Sequence, residues 1–360
     1  MKIALVNNLY YPYNRGGAET VVKAMAADFK SQGHELFIIT TRPRIMKQAP
    51  VGNLQPNKIE LDGLKIYQFP SCYFNLNSWP YILRFFWHIF HFFSLSQTAV
   101  LKKIIVSEKP DLVITHNLMG LGWRLPRILK NLNIRHEHYL HDIQLLQPSG
   151  LMMLGQEKII DSFSAKVYQF FTRLFMGSPL KVISPSLWLL EQHRQRGFFK
   201  ESETQIKNLI KSATAEPQKR STRASNFLFV GQIEKHKGIL FLLAAWQEAS
   251  QINPHLKLTV VGEGRLLAEA KKIAGTNKQI IFTGRLTSAQ IQKIMEESDY
   301  LIIPSLCYEN APMTIYEAHS AGLSVIAANI GGIPEIINKH DILFKAGNIN
   351  DLKNHILDIN

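Results

Sequence analysis

The stretch DYLIIPSLCYENAPMTIYEAHSAGLSVIAANIGGIPE, Asp299 to Glu335, decides the fold. It opens on an apolar run of strand length, YLIIPS, breaks at LCYENAP, resumes with helical spacing in PMTIYEAHSAG and ends in a second apolar run, LSVIAAN. Strand, helix and strand in that order make one crossover unit of a parallel sheet, and runs rich in Val, Ile and Leu suit strands covered on both faces. Ligands of such sheets gather outside the carboxyl ends of the strands, which makes LCYENAP the loop of interest. Pro312 suits a first helical turn, leaving Glu309 in the loop and Glu317 more than a turn inside the helix. Two readings of these acids stand level on spacing alone. One is a favourable charge at a helix start plus a solvated helix position; the other is two carboxylates turned toward one cleft.

Moving outward, the same alternation continues. Upstream come NFLFVGQI, ILFLLAAWQEASQ, LKLTVVGEG, RLLAEAKKIAG, QIIFTGRL and SAQIQKIMEESD, strand and helix in turn. The N-terminal half repeats the plan with strands KIALVNN, HELFIITT, GLKIYQF, DLVITHN, IRHEHYLHD and KVISPS, and with helices AETVVKAMAADFKSQG and LWLLEQHRQRG. Residues 201–225, rich in Lys, Ser, Thr and Glu, read as a surface crossing between two domains. The expected fold class is α/β, with two Rossmann-like, doubly wound parallel-sheet domains.

A chain of 360 residues with 46% hydrophobic content has enough material for two buried cores. Its 41 Lys and Arg exceed 28 Asp and Glu, and the excess is local: residues 1–200 carry 24 against 12, net +12, while residues 201–360 carry 17 against 16, net +1. A basic half-molecule suits an anionic partner such as a membrane surface or a phosphorylated small molecule, and equally a merely lysine-rich surface. The two cysteines, Cys72 and Cys307, have no ligand spacing, which argues against a disulfide framework or zinc ribbon and suits a reducing compartment. The first apolar run is too short for a signal peptide and reads as a strand. Residues 79–100, WPYILRFFWHIFHFFSLSQTAV, carry Arg84, His88 and His91 on one side of a helix, and so read as amphipathic rather than spanning.

Three loops invite phosphate. In VGQIEKHKG, Lys237 precedes Gly238 at a helix start. In NRGGAE, Gly16 and Gly17 open a helix where backbone without a Cβ approaches a ligand closely, although a tight turn explains a lone glycine pair better. In NIGGIPE, Gly331 and Gly332 repeat the arrangement. The histidines form a second constellation. His136 and His138 share one face of a strand, which reads as half-buried, while His116 and His141 with Asp142 end strands. The spacing matches neither HExxH nor HxHxDH, so no metal site is expected, and His141 reads as a single hydrogen-bonding group.

Taken together, GGAE at 16–19, HD at 141–142, VISPSLWLLEQHRQRGF at 182–198, VGQIEKHKG at 230–238, VVGEG at 260–264, FTGRL at 282–286 and ENAPMTIYEAHSAGLSVIAANIGGIPE at 309–335 resemble glycosyltransferase family 4. That family consists of retaining enzymes of the GT-B fold, in which two Rossmann-like domains face across a cleft. The resemblance covers nearly the whole chain, and it implies an acceptor-binding domain at 1–205 and a nucleotide-sugar-binding domain at 206–360.

Position by position, the resemblance assigns Glu309 to hydroxyls of the transferred sugar, Glu317 to the ribose of a nucleotide-diphosphate sugar and Lys237 to its diphosphate. Gly17, with Gly16 beside it, approaches the diphosphate and acceptor from the opposite domain, and His141 meets the donor sugar near the reacting carbon. Backbone donors around Asn310, Ala311, Pro312 and Met313 complete the phosphate cradle, and Arg285 and Leu286 pack on the base. The implied enzyme is a metal-independent hexosyltransferase without cofactor. Its partners are the nucleotide sugar and a glycan or lipid-linked acceptor, with no nucleic acid, and its place is cytoplasmic. Residues 79–100 and 162–181 mix Phe and Trp with Lys or Arg in the basic half, which suits contact with an anionic membrane surface on its inner face, and equally the first domain's core or a partner interface. Two departures favour an alternative, a catalytically silent sugar-nucleotide-binding or scaffold protein: Gln232 stands where the family has arginine, and the sequence stops soon after LFKAGNINDLKNHILDIN. A nicotinamide dehydrogenase is disfavoured, because GEGRLLA lacks the third glycine of that fingerprint.

Overall fold

Each apolar run read as a strand forms one, and the computed structural model describes residues 1–14, 16–44, 55–207 and 225–359. The chain divides into two units, Met1–Gly150 with Ile160–Leu209, and Leu151–Ile159 with Ile210–Asn360. Of the crossing read at 201–225, residues 208–224 lie outside the described residues.

In the first unit the strands are β1 (Lys2–Val6), β2 (Glu35–Pro43), β3 (Asn57–Leu61), β4 (Leu64–Ser71), β5 (Leu112–Thr115), β6 (Arg135–Tyr139), β7 (Lys181–Ser184) and β8 (Glu203–Ile206). Their order across the sheet is β3-β4-β2-β1-β5-β6-β7-β8, so the winding reverses between β1 and β5. All neighbours run parallel except β3 and β4, a hairpin closed by Asp62 and Gly63, both at positive φ. An Asp-Gly pair favours that tight turn. The helices are α1 (Gly17–Ser31), α2 (Tyr81–Phe93), α3 (Leu95–Glu108), α4 (Leu125–Asn131), α5 (Phe163–Met176) and α6 (Leu187–Arg194). β8 corrects the expectation that residues 201–225 are loop: Glu203 to Ile206 pair in parallel with β7 as the last strand of the sheet.

In the second unit the strands are β9 (Asn226–Val230), β10 (Lys257–Val261), β11 (Ile280–Gly284), β12 (Tyr300–Ile303), β13 (Ser324–Ala328) and β14 (Ile342–Phe344). They run parallel in the order β11-β10-β9-β12-β13-β14, with the reversal between β9 and β12. Its helices are α7 (Ile239–Ile252), α8 (Leu267–Ala274), α9 (Ser288–Glu297), α10 (Met313–Ser320) and α11 (Ile349–Asp358). α7 buries Ile239, Leu242, Leu243, Trp246 and Ala249 against the sheet, with Trp246 edge-on to Phe227 at 5.4 Å. Side chains at spacings of three and four residues fall on one face of a helix, which is why this sequence closes a core there.

Residues 151–159 belong to this second unit. Leu154 N–H donates to Leu306 O at 2.9 Å and Tyr308 N–H to Met152 O at 2.9 Å, flanking the loop that carries Glu309. Among the described residues no single helix is long and apolar enough to cross a membrane. The polar side of α2 is oriented opposite to a surface helix. His91 is buried and accepts from the Gly120 N–H at 2.8 Å, and His88 lies edge-on to Tyr168, so this side faces the protein.

Candidate active site

In the second unit the winding reverses between β9 and β12, and sheets of this kind hold ligands beside the loops that follow the strands at such a reversal. Lys237 comes from the first loop and Glu309 from the second. Backbone packing brings them together. Gly238 has φ +74°, and a Cβ there would lie 1.8 Å from Pro304 O, so the lysine loop runs directly against the end of β12. Leu306 N–H donates to His236 O at 2.9 Å, joining the same two loops. Lys237 Nζ then reaches Glu309 Oε2 at 2.6 Å. Ser305 Oγ donates to the other carboxylate oxygen, Oε1.

This pair is charged. Burial alone would push the Glu309 carboxyl up and the Lys237 ammonium down, but each is the other's counterion. The net result holds Glu309 below the ordinary carboxylate range and Lys237 above the ordinary amine value. Glu317 lies further along α10 on an exposed position, where partial desolvation raises its carboxyl.

Gly331 and Gly332 correct an expectation. They lead into a single short turn at Ile333–Glu335, and Gly332 N–H is already spent on Glu309 O at 2.8 Å. Gly331, at φ +64°, leaves room for that same carbonyl, which a Cβ would meet at 2.3 Å. Gly332 thus spends its amide on the Glu309 backbone, and Gly331 lets the chain lie against it. Pro312 is the N-cap of α10, one residue before the helix begins. Having no N–H, it adds no donor to a cradle that Ala311 and Met313 can supply. Asn310 is half-buried in the same loop, and Ala311 packs on the core. Gln232 is exposed just past β9; Arg285 is exposed and Leu286 half-buried just past β11.

The first unit places a second group at the ends of β1, β5 and β6, again beside a reversal of winding. His116 Nδ1 and His141 Nε2 lie 2.7 Å apart. Two imidazolium ions do not tolerate that spacing, and burial pushes His141 down to about 3 and His116 well below its ordinary value. Asp142 accepts from Asn117 Nδ2 at 3.1 Å and from the Gln144 N–H at 2.7 Å. Its carboxyl is nevertheless pushed up to about 6, chiefly by burial. A small pocket is lined by His116, Asn117, His138, His141, Asp142 and Gln144 with apolar neighbours.

His136 and His138 share a face as expected but are buried rather than half-buried, both bonded to Thr115 Oγ1 at 2.7 and 2.8 Å. At the start of α1, Gly16 N–H donates to Glu19 Oε2 at 3.1 Å, and Gly17 is the first helical residue. Among the described residues no group of three His, Cys, Asp or Glu side chains is placed to hold a metal ion.

Sequence reasoning missed the supporting residues. Ser305 had a readable signal, a hydroxyl four positions before Glu309 in the same strand-end loop, and Glu19 had one in its position three residues past the cap. The grip of His116 and Asn117 on the HD pair had none, because 25 residues separate each bonded pair.

Comparison with known proteins fits this geometry. A family model described as Glycosyltransferase Family 4 matches residues 15–208, more than half the chain, and one described as Glycosyl transferases group 1 matches residues 224–359. A protein of the cps region of Klebsiella pneumoniae, itself uncharacterized, is 25% identical over 93% of this chain and 87% of its own length. The lipopolysaccharide 1,2-N-acetylglucosaminetransferase of Salmonella typhimurium is 32% identical over 32% of each chain. Among solved structures, Anabaena HepE in complex with UDP and glucose superposes with a TM-score of 0.67 at 17% identity, over 99% of this chain and 89% of that one. Sucrose-phosphate synthase from Thermosynechococcus elongatus gives 0.65 at 18%, over 99% and 89%. Two parallel-sheet units of this topology are the GT-B fold, and the chain belongs to glycosyltransferase family 4, whose members are glycosyl-transferring enzymes.

Proposed function

We propose that the protein transfers a sugar from a nucleotide-diphosphate sugar to a hydroxyl of a glycan or lipid-linked acceptor, with retention at the anomeric carbon and without a metal. The acceptor is presented at the inner face of an anionic membrane. The observation carrying this reading is the Lys237–Glu309 pair at the switch point of the second unit. It supplies a fixed cation for a leaving diphosphate beside a fixed anion for sugar hydroxyls. The solved neighbour in complex with UDP and glucose and the N-acetylglucosamine-transferring relative support the substrate class.

In the reaction the bond from the sugar's anomeric carbon to the diphosphate oxygen breaks, and a bond from that carbon to the acceptor oxygen forms. The acceptor's proton passes to the leaving diphosphate. Lys237 and the N–H groups at the start of α10 stabilise the charge growing on the diphosphate, because donors fixed beforehand need no reorganisation as the bond breaks. That positive charge does the work a divalent cation would otherwise do. Glu309 accepts from the sugar hydroxyls with Ser305 holding its second oxygen, Glu317 accepts from the ribose, and Arg285 with Leu286 flanks the base. In the first unit, Gly16 and Gly17 serve the diphosphate and acceptor, and neutral His141 hydrogen-bonds the transferred sugar.

A thermal-shift panel of nucleotide sugars, followed by product analysis with and without chelator, tests this reading. The expected result is a raised melting temperature with one donor class, turnover insensitive to EDTA and a product with the donor's anomeric configuration. Chelator-sensitive turnover removes the metal-free mechanism, and an inverted product removes retention. Donor binding without transfer favours the silent binding protein that the neutral Gln232 allows.

A further inference from the structure

Two helices of the first unit turn polar side chains inward beside apolar ones and leave apolar stripes outside. On α2 the polar side chains Arg84, His88 and His91 lie partly or fully buried, while Ile82, Phe86 and Phe90 are exposed, Phe90 at 71%. These three are four residues apart and form one stripe. On α5 the polar Gln169 and Thr172 turn inward, donating to Ile160 O at 2.6 Å and Leu145 O at 2.7 Å. Its outer stripe is Phe163, Phe170 and Leu174, with Phe163 at 84% exposure. The two helices are neighbours, joined through Phe93 and Phe171 at 5.6 Å and Phe92 and Phe175 at 6.1 Å. The stripes therefore belong to one helix pair; the inner faces also bury Phe92, Tyr168, Phe175 and Met176, so the outer stripes are apolar surface beyond what closes the core, and contiguous exposed apolar surface marks an interaction site.

The charge around this face names its partner. Residues 63–107 contain no Asp or Glu, and neither do residues 162–190, whereas Lys102, Lys103 and Lys166 are exposed within them. Two copies pressed together by this face would oppose lysines with no carboxylate from either segment to neutralise them. Acidic headgroups supply that charge, and long lysine stems reach them while the rings enter the acyl boundary. Neither helix alone is long enough to span, and α2 reaches membrane length only jointly with α3, from which it is bent by 43°. We propose that the outer face of α2 and α5 docks in the interfacial layer of an anionic lipid bilayer, a step that rests on the reading of a membrane-presented acceptor and assigns it to named side chains.

Flotation of the full chain with phosphatidylcholine vesicles, with and without phosphatidylglycerol, tests this at low and high salt. Binding is expected only with phosphatidylglycerol, weaker at high salt, and reduced about tenfold or more in the Phe90→Glu, Phe170→Glu double variant. Because both positions are exposed, the variant's melting curve and its hydrolysis of donor in solution should match the parent's. The docking face is overturned if the parent stays unbound at low salt, if the double variant floats like the parent, or if a parent dimer splits in the variant while vesicles remain unbound. Donor-induced melting shifts run on the same samples separate the two claims. Donor binding without vesicle binding removes only the docking face, and vesicle binding without donor binding removes only the transferase reading.

Discussion

At the switch point of one unit a lysine and a carboxylate meet at 2.6 Å; at that of the other, two imidazoles meet at 2.7 Å. The contrast lies in the protonation each neighbourhood enforces. Lys237 and Glu309 are desolvated, yet each is the other's counterion, so both stay charged. His116 and His141 are desolvated beside each other with no anion in the pair, so both stay neutral. Burial acts the same way in both places, and the partner decides which protonation state survives. The first arrangement suits holding a diphosphate, and the second suits hydrogen bonding without adding charge.

Acid should break this contrast most strongly. His88, His91, His116, His136, His138, His141 and His193 all lie in the first unit, and burial lowers every one of them. A histidine kept neutral when folded but protonated when unfolded favours unfolding as pH falls below the unfolded value. Each adds about 1.4 kcal/mol per pH unit between about 6.5 and its lowered folded value. Asp142, held near 6, acts in the opposite sense but is one group against seven. The first unit is therefore expected to unfold near about pH 5, before the second. Trp246 is the only tryptophan of the second unit, so its fluorescence in a variant lacking the other four separates the transitions. Simultaneous loss, or earlier loss of the second unit, contradicts the comparison.

Glu309→Gln tests the charged side. It keeps the shape and deletes the counterion, so desolvation of Lys237 is no longer opposed and its ammonium should titrate lower. Transfer is expected to fall about 1,000-fold, with the alkaline limb of the pH profile moving downward. A profile that keeps its alkaline limb would show that Glu309 does not set the lysine's charge. The smallest expected effect is that of Ser305→Ala, which removes one hydrogen bond to the same carboxylate while leaving the ion pair. A loss of about 1 kcal/mol, or fivefold in turnover at unchanged melting temperature, is expected, and an effect as large as that of Glu309→Gln would place Ser305 on the substrate instead.

Most strands of both sheets were readable because parallel strands buried on two faces must be continuous runs of Val, Ile and Leu, as YLIIPS and LSVIAAN are. The strands that escaped are β3, β8 and β14. β3 reads NKIEL and β8 reads ETQI, polar sequences at the two ends of their sheet, and β14 has three residues at the end of the other. Half-solvated edges do not select apolar runs, which hid β3 and β8, while β14, ILF, is apolar but too short to stand out. Glu309 and Lys237 could be named as candidates because their loops follow strands. Their contact could not, since 72 residues separate them and the approach depends on Gly238 and Gly331 lying against distant carbonyls.

The amino-acid order alone determined which segments alternate, that the sheets are mainly parallel and where the polar and apolar sides of α2 lie, because those properties repeat over a few residues. Only the tertiary structure decided which side turns inward, as α2 and α5 show, and which of two desolvated neighbours keeps its charge. Both outcomes depend on partners brought from far along the chain, and local periodicity carries no record of them.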